Sequence, residues 1–184
     1  MALYEDVAAF CPVCEQEEAD KRVLLRLLAS GEDIYTRDNK VCHLSASSWT
    51  VNHSRDKVLM VWHNIFRSWS WMGGHADGER DLLSVALRET REESGIRTLA
   101  PVSKSIFSLE ILTVDGHEKR GEYVPSHLHL NVTYLLEADE NEQIRSKPDE
   151  NSGVRWFPVD EALAAVSEEW MAQRVYRKLC LRSR

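Results

Sequence analysis

The stretch Ala86-Leu87-Arg88-Glu89-Thr90-Arg91-Glu92-Glu93-Ser94-Gly95-Ile96 constrains this chain more than any other part of it. It reads as the end of an amphipathic helix over residues 80–94, with Leu83, Ala86, Leu87 and Thr90 on the stripe expected to be buried. Gly95 follows as the residue that lets the chain leave the helix with positive φ. At about 100° per residue, Glu92 and Glu93 fall about 60° and about 40° to either side of Glu89, so three carboxylates share one face. That face borders the buried stripe, and the acids are expected to line a cleft.

Such crowding works against the helix. Each like-charged pair three or four residues apart costs roughly 0.2–0.5 kcal/mol. Negative charge at a helix C-terminus adds about 0.3–1 kcal/mol more, and Arg88, one turn before Glu92, offsets only part of it. A hard divalent cation reverses the sign, because Mg²⁺, or Mn²⁺ in its place, binds carboxylate and phosphate oxygens together. Spacing alone leaves two readings open, a metal-binding face and a solvated acidic face.

Length and charge narrow the choice. At 184 residues, 43% of them hydrophobic, the chain suits one domain with a core that needs no disulfide support. A formal net charge of -7 argues against duplex nucleic acid as a partner, since phosphate backbones want a basic face. Small anionic substrates remain open if a metal supplies the positive charge. Apolar runs such as "VLMVW" and "VTYLL" are strand-sized, not membrane spans, and the start lacks a signal-peptide pattern. Four cysteines in that context are expected to be reduced thiols in the cytoplasm. Cys11 and Cys14 have zinc-type spacing and Cys42-His43 could complete a site, but a second spaced pair is missing from the sequence.

Residues 15–29 form an amphipathic helix closed by Gly31, whose apolar side needs either the main body or a second subunit to cover it. A homodimer is one way to provide that cover. Strands are expected at 43–52, 57–64, 105–112 and 127–138, with a polar loop at 139–153, a short strand in "VRWFPV" and helices after it. In the 127–138 strand His127, His129, Asn131 and Thr133 alternate with Leu128, Leu130, Val132 and Tyr134, giving one polar and one apolar face. This order indicates an α/β chain with a mixed sheet, not a βαβ repeat. The C-terminal run from Arg174 to Arg184 alternates basic and apolar residues, as a packed amphipathic helix would.

The segment Arg88 to Ile96 resembles the core of the Nudix box, arginine-glutamate-apolar-any-glutamate-glutamate-any-glycine-apolar, and Gly74 resembles the glycine that opens it. Trp71 before the glycines and "VRWFPVDEAL" near the end are similar to further parts of Nudix domains, and the resemblance spans roughly residues 40 to 166. One departure stands out: counting back from Arg88, the position where the family pattern has a glutamate holds Arg80. The nearest acids, Glu79 and Asp77, sit off register. The resemblance implies an α/β/α Nudix fold over 40–184 with residues 1–39 as an added N-terminal helical extension.

The resemblance further implies Mg²⁺-dependent hydrolysis of a diphosphate bond in a nucleoside diphosphate linked to another moiety. Glu89, Glu92 and Glu93 would be the metal ligands, with Glu92 and Glu93 also catalytic, and Arg88 would orient a glutamate. Glu150 is the first candidate for general base, with Glu92 or Glu93 as the alternative. Trp71, Gly74, His75, His127 and His129 are candidates to touch the substrate, although strand packing accounts for the rings as well. Two other readings are carried. "VCHLSASSWTVN" and "GGHADGE" are similar to segments of type 1 isopentenyl-diphosphate isomerase, which would make His43 and His75 ligands to a divalent ion. The isomerase needs a cysteine where this chain has Gly73. A ligand sensor of Nudix type is the other, though such domains generally lose box glutamates that this chain keeps.

Overall fold

In a computed structural model the protein is described over residues 3–119 and 121–184, so the first two residues of the 1–39 extension lie outside the described part. Its chain order is α1 (Leu3–Ala9), α2 (Glu15–Ala29), β1 (Cys42–Val51), β2 (Lys57–His63), β3 (Ser68–Ser70), β4 (Met72–His75) and α3 (Leu82–Ser94). Then come β5 (Leu99–Pro101), β6 (Ser108–Val114), β7 (His117–Lys119), β8 (Glu122–Val124), β9 (His127–Ala138), β10 (Asn151–Pro158) and α4 (Val159–Ala165). A π-helical stretch, Met171–Tyr176, runs into α5 (Arg177–Arg182).

Eight of the strands form one mixed sheet in the order β10-β2-β1-β9-β5, with β3 on β2, β4 on β1 and β6 on β9. Its centre is the parallel pair β1 and β9, in register from Cys42 opposite Leu128 to Val51 opposite Glu137. Both strands are almost wholly buried, as the middle of a two-sided sheet requires. Side-chain alternation then sorts the two faces. Ser48 of β1 meets Thr90 of α3 at 2.7 Å, which places Leu44 and Ala46 on the α3 side with Leu130, Val132 and Tyr134. His43, Ser45 and Ser47 face the other way with His129, Asn131 and Thr133, and Asn131 accepts from both serines.

That second face is polar and nonetheless covered. Glu110 and Glu17 are fully buried there, and Lys178 of α5 reaches both, at 2.9 and 3.1 Å. Trp49 packs on Tyr176, and its indole N–H donates to Ser183. Helices thus lie on both faces, in the α/β/α arrangement expected from the sequence.

α2 takes a position the sequence left open. It runs along the free edge of β6, where Gln16 donates to the Leu109 carbonyl and Asp20 accepts from the Ile111 N–H. Leu24 is fully buried in the main core together with Leu3, Val7, Phe10 and Ile34, while Leu25, Leu27 and Leu28 pack against it. The apolar face that suggested a second subunit is therefore covered within the chain. Among the described residues no helix is long and apolar enough to cross a membrane. All four cysteines are free thiols, and those of Cys11 and Cys14 contact the Ala9 carbonyl and Gln16.

Candidate functional site

Helix α3 carries the acids. Asp81 caps its start by accepting from the Ser84 N–H, and Gly95 ends it at φ +75°, the left-handed conformation the sequence calls for. The buried stripe consists of Leu82, Val85, Ala86 and Thr90, so Leu83 and Leu87 sit at its margin and not at its centre. That rotation draws Glu93 inward. It is only 4% exposed, and its Oε1 accepts from the Gly73 N–H at 2.9 Å.

Gly73 and Gly74 lie on β4, and the missing side chain at Gly74 is what lets the Glu89 carboxyl group come this close. A Cβ there would stand 2.5 Å from the carboxyl carbon of Glu89. Glu89 in turn accepts from Arg88 at 2.9 Å, the charge-assisted bond proposed for that arginine. Glu92 is the exposed member, and Lys147 reaches it at 3.2 Å. The same Lys147 ammonium lies 3.0 Å from Glu150, which brings the candidate base to the acidic end of α3.

The loop that delivers these two residues is tied down through the backbone. The Arg145 N–H donates to the Ser94 carbonyl, and buried Asn151 donates to the Glu93 carbonyl while accepting from the Lys147 N–H. Sequence reading missed Lys147 and Asn151. Both sit in a polar loop far along the chain, and only the fold shows that they serve this helix end.

The electrostatics are those of an anion-rich pocket short of positive charge. Burial pushes the Glu93 carboxyl up to about 8, with Glu150 and Glu89 adding to the rise against the Gly73 hydrogen bond and Lys147. Burial also raises Glu89, opposed by Arg88 and reinforced by Glu92 and Glu150. Burial pulls Lys147 down, but its bonds to Glu150 and Glu92 outweigh that and hold it above the usual lysine range. Four carboxylates here face two cations, Arg88 and Lys147. Glu89 is held by Arg88 and Glu93 by the Gly73 N–H, while Glu92 and Glu150 share Lys147.

The off-register acids are occupied elsewhere. Asp77, at φ +47°, forms a bidentate pair with Arg37, and Glu79 accepts from the backbone at the start of α3. Trp71 lies against Tyr176, edge-on at 5.3 Å, and its backbone N–H donates to the Tyr176 hydroxyl. His75, His127 and His129 come together with His43 on the polar sheet face. There His129 Nε2 lies 3.1 Å from His75 Nε2 and 3.2 Å from His127 Nε2.

The sequence matches the model of the NUDIX domain over residues 42–179. It is 25% identical over 128 residues to a probable DHNTP pyrophosphohydrolase of Lactococcus lactis subsp. cremoris, covering 70% of this chain and 74% of that one. It is 36% identical to the m7GpppN-mRNA hydrolase NUDT17 of Xenopus laevis over 62% of this chain and 38% of that longer protein. A third relative, the asymmetrical bis(5'-nucleosyl)-tetraphosphatase of Mus musculus, is 31% identical over 60% of this chain and 69% of its own length. Among solved structures, the E. coli dihydroneopterin triphosphate pyrophosphohydrolase superposes with a TM-score of 0.55 at 17% identity, over 75% of this chain and 94% of that one. A C. elegans Ap4A hydrolase complex gives 0.54 at 17% identity, over 74% and 96%. At such identities the structural likeness speaks for the fold alone.

Proposed function

The chain belongs to the NUDIX domain family and is a Nudix hydrolase, and from this premise we propose that it cleaves a diphosphate bond in a nucleoside diphosphate linked to another group. The observation that carries the proposal is the meeting of Glu89, Glu92, Glu93 and Glu150 at one end of α3 beside Lys147. The names of the relatives support it, since triphosphate, capped message and tetraphosphate all describe chains of linked phosphates.

The residues fit a hard divalent ion. The donors are carboxylate oxygens, their charge is under-compensated, and the bare backbone of Gly74 leaves open the volume beside Glu89 that a Cβ would fill. Glu89, Glu92 and Glu93 would hold Mg²⁺, or Mn²⁺ in its place. When bound it supplies charge neutralisation of the phosphate oxygens and lowers the pKa of a water that attacks phosphorus.

The chain's own groups do the positioning. Arg88 fixes the Glu89 carboxylate, and the Gly73 N–H fixes that of Glu93. Lys147 keeps Glu92 and Glu150 together, and its third N–H can donate to a phosphate oxygen. Glu150, half-buried and hydrogen-bonded, takes the proton from the attacking water in this scheme.

The experiment is a Mg²⁺-supplemented panel of nucleoside diphosphate derivatives with the released phosphates identified, run on the wild type, Glu92→Gln and Glu93→Gln. Full activity in both variants would remove the scheme. Unchanged turnover in a folded Glu150→Gln would remove that residue alone.

A further inference from the structure

We infer that His43, His75 and His129 form a second metal site, for a divalent transition ion that prefers imidazole nitrogen, with Zn²⁺ the first choice. The three rings come from β1, β4 and β9, and one ligand nitrogen from each lies within 4.8 Å of the others. The site is separate from the acidic one. Gly74 looks toward Glu89 of α3, so His75, the next residue on β4, looks to the opposite face, with His43 and His129.

Proton counting is what argues for an ion. The Nδ1 of His43 lies 3.1 Å from the Asn39 carbonyl, and that of His127 lies 2.9 Å from the Pro125 carbonyl. A carbonyl only accepts, so both Nδ1 atoms carry the hydrogen and both Nε2 atoms present lone pairs. The Nε2 of His43 is buried with no hydrogen-bond partner, on a side chain 4% exposed. The Nε2 of His129 touches two others, at 3.1 and 3.2 Å. An imidazole nitrogen has either one hydrogen or one in-plane lone pair, so it can satisfy one of these contacts and not both. Extra protons are no remedy, because each would add a positive charge among four rings whose centroids lie 4.8–5.1 Å apart.

A dication accepts every lone pair at once. Tetrahedral Zn²⁺ at about 2.0–2.1 Å from each nitrogen needs nitrogens about 3.3 Å apart, close to the spacing found between His129 and His75. The backbone carbonyl on His43 Nδ1 is the kind of outer partner that orients a ligating ring. Mg²⁺ is the wrong ion for three imidazoles. Three ring ligands leave a fourth position, for water or for His127, whose ring stacks on His43 at 4.8 Å.

The test uses the full chain, stripped with chelator and then dialysed against Zn²⁺ in excess Mg²⁺, with bound zinc measured by elemental analysis. The wild type and Glu92→Gln should each retain about one Zn²⁺ per chain, and the double variant His75→Asn/His129→Asn should lose it. Zn²⁺ should also raise the melting temperature of the wild type and not of the double variant, because the ion joins three strands. Should the double variant fail to fold, nitrogen NMR of the wild type decides: Zn²⁺ must move the ring resonances of all three histidines. Unmoved rings, or zinc kept by the histidine variant and lost from Glu92→Gln, would overturn the inference. Either result leaves the Mg²⁺-dependent hydrolysis to be judged on its own assay.

Discussion

Replacing Glu93 by Gln removes a buried carboxyl that resists ionisation and keeps the side chain's shape. The amide oxygen can still accept from the Gly73 N–H. The carboxyl rises from 4.5 to about 8 on folding, so the folded wild type holds a proton that the unfolded chain has released. A raised folded-state value means stability that is complete below pH 4.5 and is lost as pH climbs through 8. Between pH 6 and pH 9, about two pH units fall in the window where only the folded state is protonated. At 1.36 kcal/mol per unit, the wild type should lose about 3 kcal/mol relative to the variant. Urea denaturation of both proteins in chelator at the two pH values measures this, provided the dependence on urea has the same slope in each. Excess Mg²⁺ should narrow the gap by stabilising the ionised wild type. If the two proteins lose stability in parallel from pH 6 to pH 9, Glu93 is not a buried charge, and the electrostatic case for a cation beside it fails.

Gly74→Ala places a methyl against the Glu89 carboxyl group; melting should change little because that side chain can swing away, while Mg²⁺-dependent turnover should fall at least roughly tenfold. Unchanged turnover would mean that the Glu89 position is not used. Gly95→Ala should lower stability by about 1–2 kcal/mol in denaturant, since φ is +75° and the new Cβ would also meet Arg145. Leu24→Ala should cost about 2–5 kcal/mol, read from the same experiment, because Leu24 is fully buried. A loss well under 1 kcal/mol would show that α2 contributes little to the core.

The acidic helix was legible because its information is local. Spacing alone puts Glu89, Glu92 and Glu93 on one face, and Gly95 announces the end. The strand from His127 to Ala138 was equally plain, since polar and apolar residues alternate over its first eight positions, His127 to Tyr134. What escaped depends on distant parts of the chain. Lys147 is one lysine in a polar loop until the Ser94 and Glu93 carbonyls anchor that loop to the end of α3. The stripe was misplaced by part of a turn because Val85 looks like any apolar residue until the sheet beneath it is known. The short helix α1 and the β7–β8 hairpin have too few residues to show a period. His43 and His129 sit 86 positions apart, and only the parallel pairing of β1 and β9 makes them neighbours.

The side chains of Gln16 and Asp20 stand in for a missing neighbour strand, answering the outermost backbone groups of β6. A shortened version beginning at β1 would strip that guard and leave a bare row of donors and acceptors for another molecule to zip onto. Anyone trimming the leader to obtain a smaller enzyme should anticipate fibres or insoluble clumps, whatever becomes of the chemistry.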